Sequence, residues 1–217
     1  MQNEGVIKFD LAFESGAPVD NHLICAINAW RRIFYQLQLI GQQSDRYGGY
    51  GFGNISRRLP PHDAPTQHRS FLVSGTQTGN LSHLDGNHYT RVLEYDCANN
   101  RVVAKGPVKP SSEALTHAML YDLDAELQCV IHGHSPDIWQ NRHQLNLPVT
   151  DESADYGTPA MAAEVARLYR DPAVRSGGVI VMGGHEDGVL SFGPTLAQAG
   201  SVLTCTLAGA LALALKP

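Results

Sequence analysis

Val130-Ile131-His132-Gly133-His134 is the stretch that decides how this chain is read. A short apolar run ending in His-x-His predicts a strand, and residues two apart on a strand point to the same face. Both imidazoles are therefore aimed at one point. Ser135-Pro136 follows at once and should end the strand at the sheet edge, since proline cannot donate to a β-ladder. His185 comes after a second apolar run, Val179-Ile180-Val181-Met182, and the turn residues Gly183-Gly184. It too sits just past a buried strand, where ligand sites of α/β folds collect. Glu113 adds a carboxylate. Together, Glu113, His132, His134 and His185 can hold a divalent metal and leave a position for water or substrate, the donor set of a metal-dependent enzyme.

Around this stretch, apolar and turn-forming residues alternate in blocks. Leu23, Ile27, Trp30, Phe34, Leu37 and Ile40 recur with spacings of three and four, which predicts an amphipathic helix over residues 21–40. A glycine-rich segment follows, and Gly53-Asn54-Ile55-Ser56 leads into a short strand. Strands are expected over residues 70–73, 90–95 and 101–104, the last two joined by a turn at Asn99-Asn100. Lys109-Pro110-Ser111-Ser112-Glu113 has the grammar of a helix start, backed by Leu115, Met119, Leu120 and Leu123. A strand over 129–131, a helix from Thr158-Pro159 through Leu168, a buried strand over 178–182 and a last helix from Thr195 complete the order. This is an α/β pattern without repeats or linkers.

The 217 residues suit a single domain spanning 1–217, and 43% hydrophobic content can fill its core. A net charge of -5 with no basic run argues against a nucleic-acid surface. Cys25, Cys97, Cys129 and Cys205 form no C-x-x-C pair and read as reduced core thiols of a cytoplasmic protein. Glu4, Lys8 and Asp10 precede any apolar stretch, so no signal peptide is expected. The most apolar segment, residues 202–215, is shorter than the roughly 20 residues a bilayer requires. It reads as a buried C-terminal helix rather than a membrane span.

Of the ten histidines, His22, His62, His68, His83, His88 and His143 lie in polar stretches without a convergent partner. His117, one helical turn after Glu113, offers an alternative metal pair with that carboxylate. Three polar segments suit an anion: Gly53-Asn54, Ser74-Gly75-Thr76 and Ser111-Ser112. The last stands at a helix N-terminus, whose free N–H groups attract phosphate. Taken alone, Ser112 is an ordinary N-cap.

In this order, Gly53-Asn54-Ile55-Ser56, Ser74-Gly75-Thr76, Ser111-Ser112-Glu113, His132-Gly133-His134 and His185 resemble the class II aldolase/adducin-domain family of the L-fuculose-phosphate aldolase and L-ribulose-5-phosphate 4-epimerase type. The resemblance implies a three-layer α/β/α fold with a central, mostly antiparallel sheet, assembled as a homotetramer. It implies that Glu113, His132, His134 and His185 bind Zn²⁺ or another divalent ion such as Mn²⁺ or Co²⁺, and that Gly53, Asn54, Ser74, Gly75, Ser111 and Ser112 cradle a substrate phosphate. Glu113 would also be the catalytic acid/base. The implied activity is that of a carbon-carbon lyase on a phosphorylated ketose, working through a metal-stabilised enediolate. Glu152 stands where the aldolases place a tyrosine proton donor, and Ala154-Asp155-Tyr156 resembles an epimerase motif, which makes Asp155 a second acid/base candidate. Gly184-His185-Glu186 replaces the family's Asn-His-Gly. Epimerase, dehydratase and decarboxylase chemistry at the same site, and a non-enzymatic adducin-like scaffold, are the alternatives.

Overall fold

The computed structural model describes residues 5–215. Glu4, one of the charged residues weighed against a signal peptide, lies outside them. In chain order the elements are β1 (Asp10–Ser15), α1 (Asn21–Gln36), β2 (Gly41–Gln42), β3 (Gly51–Phe52), β4 (Asn54–Arg58), β5 (Phe71–Ser74), β6 (Tyr89–Asp96) and β7 (Arg101–Gly106). Then come α2 (Ala114–Leu123), β8 (Cys129–His134), α3 (Pro136–Gln140), α4 (Pro159–Tyr169), α5 (Pro172–Gly177), β9 (Val179–Val181), β10 (Gly188–Gly193) and α6 (Leu196–Ala214). Eight strands form one sheet in the order β1-β7-β6-β5-β4-β8-β10-β9. Only the β1–β7 pair in it is parallel.

Period-two alternation sorts the sheet's side chains into two cores. Val130, Phe71, Val73, Leu190 and Phe192 pack with Leu115, Tyr121, Met161 and Val165 of α2 and α4. Cys129, Ile131, Ile55, Leu72 and Val189 pack on the other side with Ile27 and Phe34 of α1, Ile138 of α3 and Leu203 of α6. Helices therefore cover both faces, which is the three-layer architecture expected. Because β8 is buried on both sides, it reads as a continuous apolar run rather than an alternating one.

Local chemistry sets most boundaries. Thr158 and Thr195 accept hydrogen bonds from Met161 N and Gln198 N and so cap α4 and α6, as their sequences predicted. The β6–β7 hairpin forms as expected, with Asn100 at φ +54. Asparagine tolerates this left-handed conformation better than most residues. Four expectations need correction. The first helix stops at Gln36, short of Ile40, because Gln38 adopts φ +58 and turns the chain. Helix α2 begins at Ala114, and Glu113 occupies the cap position without a side-chain capping bond. Ser112 is thus not the N-cap.

The other two concern burial. Cys97 and Cys129 are core thiols, but Cys25 and Cys205 are exposed, because each falls on the outer face of its helix. The C-terminal helix is not buried either. Leu196, Ala199, Leu203 and Ala210 reach the core, whereas Leu211 is 46% exposed. Residues 196–213 are long and apolar enough to cross a membrane by length and composition, with 22% of that window buried. In the fold this helix lies against β8 and β10 as part of the outer layer.

Candidate metal centre

Strand β8 ends at His134, where Ser135 caps α3 by accepting from Ile138 N. Proline thus ends the strand as predicted, though β8 lies inside the sheet between β4 and β10 rather than along its edge. His132 and His134 face the α2 and α4 layer, the side on which Val130 packs. Their Nε2 atoms approach to 3.1 Å. The turn after β9 brings His185 alongside, with ring centroids 5.0 Å from His132 and 4.7 Å from His134. One nitrogen from each of the three lies within 4.8 Å of the others, and all three residues are buried. Two nitrogens bound to one tetrahedral ion at about 2.0–2.1 Å would be roughly 3.3 Å apart, so the donor set fits a divalent ion.

Glu113 joins this cluster from the start of α2. Its Oε1 is 4.0 Å from His185 Nδ1, and its Oε2 accepts a 2.6 Å hydrogen bond from Thr116 Oγ1. At 1% exposure it is as buried as the histidines. The alternative pairing of Glu113 with His117 does not form. Nδ1 of His117 faces Ser56 Oγ at 2.6 Å, and Ser56 Oγ in turn contacts Tyr121 OH at 2.7 Å. Complete burial pulls the His117 pKa down to about 3, so this imidazole is neutral.

Beside the metal cluster lies a small polar pocket. Gly53, Asn54, Gly75, Ser111 and Ser112 line it, together with Thr76, Gln77, Thr78 and Gly79. Register explains the proximity, because Asn54 of β4 pairs directly with His132 of β8. Gly53 has φ +74, and a Cβ there would meet Leu39 O at 2.9 Å, so the chain reaches Asn54 only through glycine. Gly75 is bridged to Pro110, which ties the Ser74-Gly75-Thr76 turn to the segment carrying Ser111. Ser111 Oγ accepts from Glu113 N at 3.3 Å. Five of the six expected phosphate residues therefore meet. Ser74 does not join them, as its Oγ accepts from Ile55 N at 3.2 Å inside the sheet. A larger cavity, of about 710 Å³, lies by Cys129 at the opposite end of β8, and its His62, Asp63 and Glu126 do not converge as a metal-competent group among the described residues.

Asp155 lies on the exposed surface of the loop between α3 and α4, with its Oδ2 4.0 Å from Lys8 Nζ. Its neighbour Tyr156 stacks on His185 at 4.6 Å, and Lys8 Nζ sits 3.7 Å from the Tyr156 ring centroid. Sequence reasoning missed a second wall. The Tyr47 ring meets His134 edge-on at 4.7 Å, and its hydroxyl donates to Asp187 Oδ2 at 2.6 Å. Arg46 bonds that hydroxyl as well and lies 3.5 Å from Asp187 Oδ2. Burial first, then the bond to Asp187, raises the Tyr47 pKa, so the phenol stays protonated. The glycines at 48, 49, 51 and 53 were the available signal, since they mark a loop close to a site.

The three-layer α/β fold thus brings a buried three-histidine cluster that could hold a divalent ion next to a polar pocket. The chain belongs to the family described as Class II Aldolase and Adducin N-terminal domain, whose profile matches residues 43–207. It is 36% identical over 83 residues to a methylthioribulose-1-phosphate dehydratase of Xanthomonas oryzae, a match spanning 38% of this chain and 31% of that one. It is 28% identical over 192 residues to a protein of the same name from Gluconacetobacter diazotrophicus, covering 75% of this chain and 87% of the relative. A sugar-phosphate aldolase from Thermotoga maritima shares the fold with a TM-score of 0.64 at 16% identity, over 88% of this chain and 93% of the other.

Proposed function

We propose that this chain is a divalent-metal-dependent lyase acting on a phosphorylated ketose, with His132, His134 and His185 as metal ligands. The observation that carries the reading is the adjacency of that cluster to the Gly53, Asn54, Gly75, Ser111 and Ser112 pocket, with Glu113 between them. When bound, the ion supplies Lewis acidity to the ketose carbonyl and makes the adjacent carbon a stronger acid. The pocket grips the phosphate and fixes the distance between the two ends of the substrate. Such positioning converts binding into rate.

Glu113 is the proton-transfer group: its carboxylate would join the three histidines in holding the ion and would serve as base in turnover. Its carboxylate is held by Thr116 on one oxygen, which leaves the other directed towards the His185 side of the cluster. Loss of water is the favoured outcome. Glu113 takes the proton from the carbon next to the carbonyl, and the hydroxyl on the following carbon departs with a proton as water. The two dehydratase relatives support this branch. Aldol cleavage, the expectation at superfamily level, uses the same base on a hydroxyl proton and breaks a carbon-carbon bond instead. Asp155 and the Tyr47 phenol are the groups to test for the second proton transfer, Tyr47 because its ring touches His134.

Zn²⁺ suits three imidazoles and a carboxylate, and forms the finer part of the proposal. A single domain is supported by one sheet running through the described residues. Assembly as a homotetramer and a cytoplasmic setting are part of the same proposal, supported by the resemblance to the family. The experiment is a screen of phosphorylated ketoses with Zn²⁺, Mn²⁺ or Co²⁺, reading dicarbonyl absorbance for water loss and coupled aldehyde detection for cleavage. Absence of both products across the panel, with metal bound, overturns the lyase reading.

A further inference from the structure

Arg31 lies on α1 and is 2% exposed. Its Nη2 donates to the Thr78 carbonyl oxygen at 2.9 Å. Nη1 is buried with no hydrogen-bond partner among the described residues. No carboxylate forms an ion pair with it among the described residues, and burial lowers its pKa from the ordinary guanidinium value. An ion removed from water without a counter-charge carries a desolvation cost, and guanidinium does not escape that cost by losing its proton. The fold therefore keeps a buried cation without a counter-charge among the described residues.

Its hydrogen bond leads to the wall of the polar pocket. Thr78 and Gly79 wall the pocket that also contains Asn54, Ser111 and Ser112. Thr78 Oγ1 donates to Gly75 O at 2.9 Å, so the tether from Arg31 runs through Thr78 to Gly75. The segment has little room to shift, since a Cβ on Gly79 would lie 2.2 Å from Gly41 O. Near the pocket, the buried guanidinium contributes a positive field that solvent screens poorly.

We propose that Arg31 is a positioning residue for the phosphate group of the ligand: its charge makes the 75–79 wall electropositive, and its bond to Thr78 holds that wall in place. This rests on the pocket being the anion site. Inorganic phosphate is the probe, titrated calorimetrically into the metal-loaded protein. Arg31→Lys keeps the charge, whereas Arg31→Gln keeps a donor for Thr78 O without it. The expected result is phosphate affinity within about threefold of the parent for Arg31→Lys and roughly tenfold weaker for Arg31→Gln. Equal affinities for the two variants would overturn the role of the charge.

A second pair leaves Arg31 in place, should its replacements unfold. Tyr35 is one turn along α1, with the Arg31 guanidinium 5.5 Å from its ring centroid. Tyr35→Glu sets a counter-charge against Arg31 and should weaken phosphate binding severalfold relative to Tyr35→Gln. No difference between those two also overturns the proposal. Ser112→Ala separates the premises. If it weakens phosphate binding while the Arg31 and Tyr35 pairs show no charge effect, the pocket stands and Arg31's role falls. If the parent protein binds no phosphate, both fall.

Discussion

Ser56→Ala should destabilise the protein far more than the loss of one hydroxyl suggests. Ser56 Oγ bridges His117 Nδ1 at 2.6 Å and Tyr121 OH at 2.7 Å, and all three residues are fully buried. Alanine leaves two polar atoms facing each other across a gap that is closed to solvent. A buried polar group deprived of its partner costs about 1–3 kcal/mol, so two cost about 2–6 kcal/mol. For a domain of this length, each kcal/mol lowers Tm by about 2–4 °C, which places the expected drop at roughly 4–24 °C. Adding Tyr121→Phe removes one of the stranded groups, and the double variant should recover part of the loss. Urea unfolding with the metal present reads both effects. A change below about 0.5 kcal/mol for Ser56→Ala, the range of an ordinary surface substitution, would refute the network.

His117 adds a pH signature to the same network. Its folded pKa of about 3 lies below the ordinary 6.5, so the unfolded chain binds the extra proton between those values. Its contribution to stability is complete above pH 6.5 and is lost as pH falls towards 3, with a slope of up to about 1.4 kcal/mol per pH unit. His117→Phe should flatten that part of the stability profile in acid-unfolding curves. Gly79→Ala forces a Cβ against Gly41 O and Gly51 Cα, both backbone atoms. It should cost about 1–3 kcal/mol in thermal unfolding and weaken phosphate binding, whereas unchanged values would mean the loop has slack. Glu113→Gln should retain bound metal on the three histidines yet lower kcat by at least about a hundredfold in the steady-state assay.

The metal cluster was legible because its logic is local. His132 and His134 are two apart on a strand, and Val179-Ile180-Val181-Met182 announces the strand that delivers His185. Thr158 and Thr195 were equally readable, since a capping hydroxyl acts on residues three positions away. Contacts between remote segments left no such mark. Tyr47 and Asp187 are 140 positions apart, and the glycines after Tyr47 mark a loop without indicating that it bonds Asp187 at 2.6 Å. The same holds for Arg31 and Thr78, where a charged residue in an amphipathic helix gives the appearance of a solvated face. Ser74 was read from its turn, but its side chain was captured by the neighbouring strand at Ile55 N. The exposed side of α6 shows the converse, because an apolar sequence records what a helix could cover and not what covers it.

Together, His132, His134 and His185 are proposed to hold one divalent ion. Elemental analysis by mass spectrometry of the purified protein and its His134→Ala variant, each equilibrated with Zn²⁺ and desalted, tests it most directly. Close to one ion per chain is expected in the parent and a large loss in the variant, with both folded by circular dichroism. Equal metal content in the two proteins, or none in either, would contradict it.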